Sequence, residues 1–542
     1  ILRDVPGLEE HMFPDKICLI SPAALVSAVK RTHYDEDARH WRLWPITPNT
    51  SFAEQSATFF NAFGDAIHSA WTAARIDTTR YPLRKWKQTP FDALDIEGAC
   101  PPNLALWSVG KPGWPDVVAY GAAVDMSADP EAAHPLQSII DAAGAVMGQQ
   151  PDRGYVLALA VTRKCDLKER LQLVVVDRTG LVSGTPFLVH DPESIEHLVR
   201  IVAGMMFAKR TRLGHDPTVY RRSNRSFVRI RGVDFTAAAR ADAEIGIESP
   251  VVEGFDAEKT TEAEFEILEW TSDVRDNRLI QSGTACWRVR GPDGREYAMR
   301  EAWDPSHEVY GYNREREIVA VLGHIAGVPD IVAGGAVEVN GVPWTTNAVR
   351  ACIDGNYKHC MPYLMMDTRT RHRVLMYPFG EDILRYTSPL ELIYVFSDVT
   401  RELERVAAKK VIQRDMSLGN IVIRRPHKGR ARGMLIDMDK ACILNDRGQD
   451  DSGDLTGTLR YLALAAIDRE PRIPADDLES LAYVFIHICI LFNGPRGALR
   501  TDKDIKDTAV GCWYDMTEKH AQHKASLRTS DEAIDRLLND FT

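Results

Sequence analysis

A short polar loop between two apolar runs carries the side chains best suited to chemistry. In VIQRDMSLGNIVI, Val411–Ile423, the carboxylate Asp415 precedes the amide Asn420 by five residues. A second carboxylate, Asp437, follows in GMLIDMDKA, at the end of a predicted apolar strand. Phosphoryl transfer from ATP requires a carboxylate to orient the attacking hydroxyl and oxygen ligands for Mg²⁺. The spacing therefore predicts Asp415 as the catalytic base, and Asn420 and Asp437 as magnesium ligands.

The elements around these residues predict a domain in which strands come first and helices follow. LIQSGTACWRVRGPDGREYAMREAW, 279–303, has two strand patterns joined by Pro-Asp-Gly, a strong hairpin signal. A charged helix is predicted in HEVYGYNREREIVAVLGHIAG, 307–327, and beyond HRVLMYPFG, 372–380, the pattern is mostly helical. Because Asp415 lies near this changeover, we predict a two-lobed domain.

The first part of the chain predicts a separate α+β domain. Apolar residues at helical spacing fill 51–75, and strand patterns occupy 115–126, 154–166 and 170–189. The chain then becomes acidic and turn-rich between Ala239 and Glu269. We predict an N-terminal α+β domain of scaffolding or regulatory role over 1–240, an acidic linker over 241–270, a β-rich N-lobe over 271–380 and a helical C-lobe over 381–542.

Composition limits the partners and the compartment. The chain has 542 residues, too many for one compact core, and its net charge of −11 argues against nucleic acid as a partner of the whole molecule. Nine dispersed cysteines without a C-x-x-C pair predict reduced thiols, and therefore an intracellular protein of the cytoplasm or nucleus. The absence of any apolar run of membrane-spanning length predicts no membrane segment. Nothing in the sequence indicates an oligomeric state.

Four segments, in the right order, resemble the fungal-type protein kinase family. RDMSLGNIVI resembles its catalytic loop, LIDMDKA its metal-binding segment, TGTLRYLALA the end of its activation segment and DDLESLAYVF its helix F. RIVAGMMFAKRTRLGHDPT resembles the segment that precedes the kinase lobes, so the resemblance covers about Glu196–Lys524. It implies a bilobal protein-kinase-like fold, ATP and Mg²⁺ as cofactors, and a serine or threonine hydroxyl of a protein as phosphoryl acceptor.

The resemblance also implies roles for residues outside the loop. Glu317 would be the glutamate of helix C that fixes the phosphate-binding cation, with Glu315 as its rival, and Asp477 would brace the catalytic loop from helix F. Thr456 and Thr458 would border the substrate hydroxyl. Arg414 would face the activation segment, Cys442–Leu455, where Asp450, Asp451 or Asp454 would replace an ordering phosphate.

Three features of the sequence depart from the family pattern. Arg300 in YAMREAW stands where kinases carry a lysine that grips the phosphates, and an arginine fork differs from a lysine in length and shape. The glycine-rich loop keeps only Gly283, and Gln413 replaces the histidine before Arg-Asp. These departures leave a catalytically impaired pseudokinase scaffold as an alternative to the active enzyme.

A second alternative is a small-molecule phosphotransferase, because such enzymes also combine D-x-x-x-x-N with I-D-x-D. Ser417, at a position where serine/threonine kinases usually carry lysine, does not separate the two. The activation segment and helix F favour a protein substrate. For the basic stretch RRPHKGRARG, 424–433, we expect a solvated hairpin rather than a nucleic-acid site, and for His487 a hydrogen-bonded position in the core.

Overall fold

The computed structural model describes most of the chain, and every structural statement below refers to that part. It covers residues 1–540 apart from 46–49, 82–83, 89–101, 108–116, 129–133, 245–249, 251, 253, 272–278, 280–282, 306–310, 351–367, 426–428, 503, 509 and 515–517.

An eight-stranded mixed sheet organises the first 210 residues. Seven of its strands lie side by side in the order Leu2–Val5, Gly180–Gly184, Glu169–Asp177, Tyr155–Arg163, Val117–Asp125, Leu104–Trp107 and Lys85–Gln88, and Phe187–Leu188 pairs with Glu169–Asp177. Two pairs are parallel: the first strand with Gly180–Gly184, and Val117–Asp125 with Tyr155–Arg163. The other pairs are antiparallel.

Helices cover both faces of this first sheet, so its central strands are apolar on both sides. In Tyr155–Arg163, Leu157 and Leu159 pack against one core, and Ala158 and Ala160 pack against the other. The first core is completed by the helices Leu8–Met12, Pro22–His33, Phe52–Ala73 and Ile195–Phe207, and the second by the helix Pro135–Gln149. The helix Phe52–Ala73 is capped by Ser51, because the N–H of Glu54 donates to the Ser51 hydroxyl at 3.1 Å.

A second sheet of seven strands is antiparallel throughout and precedes the catalytic loop. Its order is Val219–Arg222, Arg225–Arg231, Glu262–Trp270, Ala285–Arg290, Glu296–Pro305, Arg369–Tyr377 and Asp330–Ala336. The predicted Pro-Asp-Gly hairpin is confirmed as the pair Ala285–Arg290 and Glu296–Pro305. The helix Phe235–Glu244 packs on this sheet through Phe235 and Ala238.

The segment 241–270, predicted as an acidic linker, ends in a strand of this sheet. Glu262–Trp270 pairs with Arg225–Arg231 on one side and with Ala285–Arg290 on the other. Its alternating apolar residues Ala263 and Phe265 are buried, while the intervening glutamates made the stretch look like a solvated linker. Two strands of the predicted 1–240 domain, Val219–Arg222 and Arg225–Arg231, therefore belong to the second sheet. The proposed division into domains stays a prediction.

The helix Tyr312–Leu322 lies between the second sheet and the helices that follow. Tyr312 packs on Val374 and Met376 of the sheet, whereas Ile318 and Leu322 join the next core. That core contains the helices Pro389–Ala408 and Pro474–Leu491, and further helices follow at Leu464–Ile467, Glu518–Thr529 and Asp531–Asp540. Short strands at Glu381–Asp382, Val411–Ile412, Ile421–Arg424, Arg432–Leu435 and Cys442–Ile443 frame the catalytic loop. The β-rich sheet followed by helices is compatible with a kinase-like fold.

The basic hairpin 424–433 is more tightly paired than predicted. Residues 426–428 lie outside the described part, but Arg424 is buried and contacts Asp242 at 3.3 Å, and Arg430 contacts Asp398 at 2.7 Å. The expectation of a solvated hairpin is therefore wrong for Arg424. The prediction for His487 is confirmed, because its ring is buried between the hydroxyls of Tyr461 and Tyr514.

No helix in the described residues combines the length and the apolar character that crossing a bilayer requires.

Candidate active site

The carboxylate of Asp415 is held at both oxygens. The loop leaves the strand Val411–Ile412 and ends in a short turn, Leu418–Asn420, so that Asp415 lies at its centre. The hydroxyl of Thr458 donates to Oδ1 at 2.8 Å, and the ammonium of Lys440 donates to Oδ2 at 2.9 Å. Thr458, predicted to border the substrate hydroxyl, therefore contacts the predicted base directly, and the carboxylate has a fixed direction.

The loop is braced from the helix Pro474–Leu491. Asp477 accepts the N–H of Gln413 at 2.7 Å and that of Arg414 at 2.9 Å. These two hydrogen bonds fix the backbone at Arg414, which has a left-handed conformation with φ of 67°. Burial raises the pKa of Asp477 to about 6, although the two N–H donors act in the opposite direction.

Gln413 and Asn420 connect the loop to its surroundings. The side-chain oxygen of Gln413 accepts the N–H of Asp415 at 2.8 Å, and its nitrogen donates to the carbonyl of Asp437 at 3.3 Å. The amide nitrogen of Asn420 donates to the carbonyl of Asp415 at 2.7 Å. This bond leaves Oδ1 of Asn420 as the atom that could bind a metal ion. The glutamine thus joins the two predicted catalytic segments.

Arg300 joins the sheet, the helix Tyr312–Leu322 and the metal-binding segment. Its Nη1 donates to Oδ1 of Asp437 at 2.5 Å, and its Nη2 donates to Oε2 of Glu315. Burial alone would disfavour the charge, but the carboxylates of Glu315 and Asp437 raise the pKa of Arg300 well above its usual range. The arginine is therefore positioned where the lysine was expected, and one of the predicted metal ligands is among its partners.

The helix glutamate at this site is Glu315, which corrects the assignment of Glu317. Glu315 is 2% exposed and faces Arg300, whereas Glu317 is 56% exposed and accepts a bond from Arg314 at 2.7 Å. Ile318 and Leu322 are buried on the face that carries Glu315. Because residues three and seven apart share a helix face, this apolar spacing in the sequence could have identified Glu315.

Gly283 lies just before the strand Ala285–Arg290, in a left-handed conformation with φ of 54°. A Cβ at this position would lie 2.6 Å from the guanidinium carbon of Arg178, in the turn after the strand Glu169–Asp177. The loop residue Ser282 lies outside the described part. Cys286 faces Arg300 across the strand pair, and burial raises the pKa of its thiol to about 11. The thiol is therefore protonated at neutral pH.

One acidic residue of the activation segment takes the position predicted for a phosphate. Asp450 accepts a bond from Nη1 of Arg414 at 2.8 Å, and both side chains are 3% exposed. The arginine overcomes the effect of burial, so the pKa of Asp450 lies below its usual range. Of the three candidates, Asp450 contacts Arg414, and Asp451 accepts a bond from Asn445.

Two residues that the sequence did not single out complete the site. Lys440 contacts Asp415, and that carboxylate raises the pKa of Lys440 although burial opposes the charge. Within the described residues, Oδ1 of Asp439 is buried without a hydrogen-bond partner. Burial and the neighbouring Asp437 raise the pKa of Asp439 to about 8. An unpartnered carboxylate oxygen close to Asp437 fits a divalent cation, since oxygen is the ligand that Mg²⁺ prefers.

One comparison with known proteins gives a match over most of the chain. The family model described as fungal protein kinase matches residues 105–489. No curated protein matches the chain. The matched range contains all six predicted site residues, from Gly283 to Asp437.

Proposed function

We propose that this chain, which belongs to the fungal protein kinase family, transfers the γ-phosphoryl group of ATP to a serine or threonine hydroxyl of a protein. Membership of the family suggests kinase-like phosphoryl transfer as its class of chemistry. The observation that carries the finer proposal is the linked set of Asp415, Gln413, Asp437 and Arg300, which joins the predicted base, metal ligand and phosphate-binding cation through hydrogen bonds.

Each residue has a proposed role in this reaction. Asp415 accepts a hydrogen bond from the acceptor hydroxyl and takes its proton as the new P–O bond forms. Asn420 and Asp437, with Asp439 beside them, would hold Mg²⁺, which when bound would offset charge on the phosphates. Arg300, fixed by Glu315, would contact phosphate oxygens, and Gly283 would let the backbone approach the nucleotide. Catalysis then depends on positioning and charge.

The domain arrangement is part of the proposal. The second sheet with the helix Tyr312–Leu322 would form the N-lobe and the following helices the C-lobe, with the nucleotide between them. The first sheet and its helices, which form the part of the predicted 1–240 domain before Val219, would scaffold or regulate this bilobal unit. We also propose an intracellular protein, from its cysteine content.

The pseudokinase scaffold remains the second candidate, and one observation favours it. Arg300 binds Asp437 directly, so a metal ion would have to replace that contact before Asp437 could act as a ligand. A small-molecule acceptor is the third reading. Support for a protein acceptor comes from the activation-segment and helix-F motifs, Thr456–Ala465 and Asp476–Phe485.

Magnesium-dependent nucleotide binding and labelled phosphoryl transfer test the proposal together. We expect ATP to raise the Tm of the wild type more with magnesium than without it, and we expect γ-labelled ATP to label a protein acceptor. Asp437→Ala should lower transfer by about 100-fold or more, because a ligand of the reacting phosphate is lost. The control Asp446→Ala changes an exposed aspartate in the turn after Cys442–Ile443 and should leave transfer unchanged.

The alternatives give different results in the same experiment. Full transfer by Asp437→Ala would contradict the metal assignment. Absence of both the magnesium-dependent Tm shift and transfer in the wild type would favour the scaffold. Label that appears in small hydroxyl compounds but not in protein would favour the small-molecule enzyme.

A further inference from the structure

We propose that Lys440 is the cation that contacts the transferring phosphoryl group. This inference rests on the proposed function and adds a residue to it. Its ammonium lies 2.9 Å from Oδ2 of Asp415, the proposed base. An acceptor hydroxyl bound to the same carboxylate oxygen would lie at most about 6 Å from that ammonium, since each hydrogen bond spans about 2.8 Å, and the phosphoryl group that it attacks lies next to it.

Lys440 lies where it can supply a positive charge that the catalytic loop lacks. Ser417, two residues after Asp415, has no positive charge, although the reaction places negative charge on three phosphoryl oxygens. Lys440, three residues after Asp437, contacts the same carboxylate from a different segment of the chain. The charge that the loop lacks is thus supplied by the metal-binding segment.

The other described basic side chains near Asp415 already bind other groups. Arg300 contacts Glu315 and Asp437, and the buried Arg414 contacts Asp450. Arg472 donates to the carbonyls of Thr456 and Arg414. Lys440 differs because its side chain is 36% exposed while it contacts the base. A substrate can therefore approach it.

The backbone of Lys440 is fixed by Arg414 of the catalytic loop. Nε of Arg414 donates to the carbonyl of Lys440 at 2.7 Å, while Nη1 of the same guanidinium binds Asp450. The peptide that carries the lysine is therefore held between the catalytic loop and the acidic residue that replaces a phosphate.

Lys440 stabilises the transfer without exchanging atoms. The acceptor oxygen forms a bond to the γ-phosphorus, and its proton passes to Asp415. The bond from the γ-phosphorus to the bridging oxygen breaks, and the electron pair leaves with ADP. The ammonium of Lys440 contacts the non-bridging oxygens throughout and keeps its protons. Its effect should therefore be largest in the transition state and should require the γ-phosphate.

The test compares Lys440→Met and Lys440→Arg with the exposed control Lys409→Met. We expect Lys440→Met to lower kcat by about 100-fold, with a smaller change in KM for ATP. It should weaken binding of the β,γ-imido analogue of ATP by about tenfold and leave ADP binding unchanged, each measured with magnesium. Lys440→Arg should restore most of the discrimination between the two nucleotides, and Lys409→Met should behave as the wild type.

Each outcome decides the proposal. Equal effects of Lys440→Met on the analogue and on ADP would overturn it, as would an unchanged kcat. If the wild type binds the analogue in a Lys440-dependent manner but transfers no phosphate, the proposed function fails while the contact stands. If the wild type binds neither nucleotide, both fail. Should Lys440→Met not fold, Lys440→Gln takes its place, because it keeps a polar side chain without the charge: weaker analogue binding with unchanged ADP binding would support the contact, and equal effects on both nucleotides would overturn it.

Discussion

Arg300 uses two nitrogens of one guanidinium for two carboxylates. Nη2 binds Glu315 on the helix and Nη1 binds Asp437 on the metal-binding segment. A lysine has one compact ammonium and cannot reproduce this fork. With lysine at this position, the single ammonium would stay with the buried Glu315. Asp437 would then lose the cation that competes with a metal ion for its carboxylate.

We expect Arg300→Lys to lower the magnesium concentration required for ATP binding, by about threefold to tenfold, since it removes one charge-assisted hydrogen bond from Asp437. Thermal shift at fixed ATP, with magnesium as the variable, measures this change. Arg316→Lys, on the exposed face of the same helix, is the matched control and should have no effect. A higher magnesium requirement in Arg300→Lys would show that the arginine assists the site instead of occupying its ligand.

The residues at the centre of the site could be predicted from the sequence better than the residues that contact them. Asp415, Asn420 and Asp437 could be found because apolar strands on either side mark the loop and aim its polar residues. Lys440 could not be paired with Asp415, because the contact spans 25 residues and depends on how two loops meet. The choice between Glu315 and Glu317 required the helix face, which the buried Ile318 and Leu322 define.

At the scale of elements, the activation segment is tied to the catalytic loop by one buried ion pair. Arg414 binds Asp450, and the backbone N–H and carbonyl of Asp450 pair with those of Arg472. Arg472 in turn donates to the carbonyl of Arg414. These contacts form a closed ring of three residues that holds the segment without phosphorylation.

We expect Asp450→Asn to lower the free energy of unfolding by about 3 kcal/mol, because Arg414 would keep a buried charge without its carboxylate. Phosphoryl transfer should fall with it, since the backbone of Lys440 depends on the same arginine. Chemical denaturation and transfer rates measure both effects. Asp451→Asn, at the exposed neighbouring position, should change neither.

Phosphatase treatment provides the complementary observation. Because Asp450 already supplies the negative charge, treated and untreated wild type should have equal activity. A loss of activity after treatment would show that a phosphate group, and not Asp450 alone, orders the segment.

At the scale of the whole molecule, a buried cluster of charged residues on the second sheet contacts the first sheet region through the carbonyl of Pro151. Arg371 contacts Glu301 on the neighbouring strand and donates to the carbonyl of Pro151 at 3.0 Å. Arg373 contacts Glu301 as well and binds Asp216 at 2.8 Å. All four of these charged residues are buried, so each depends on the others for compensation.

We expect Arg371→Ala to lower the free energy of unfolding by about 3–5 kcal/mol, because Glu301 would lose a buried partner. The exposed pair of Arg229 and Glu264 is the control, and Arg229→Ala should cost less than about 1 kcal/mol. Denaturant unfolding of both variants measures the difference. Equal losses would mean that the buried cluster stabilises the protein no more than an exposed ion pair does.

The pairing of distant strands is what the sequence could not predict for the fold. The strands at 154–166 and 170–189 could be predicted because apolar residues dominate them. The parallel pairing of Leu2–Val5 with Gly180–Gly184 could not be predicted, because it joins segments almost 180 residues apart. Glu262–Trp270 was concealed for a different reason, since its exposed glutamates resemble a linker while its alternate residues pack on the helix Phe235–Glu244.

The strand order of the second sheet has a consequence for how the protein can be shortened. A fragment that begins at residue 241 would keep Glu262–Trp270 but lose Arg225–Arg231, with which it pairs. The exposed backbone edge would then offer N–H and carbonyl groups to another copy, and aggregation would follow. A soluble kinase fragment therefore has to begin before Val219, well upstream of the acidic stretch that looks like the natural place to cut.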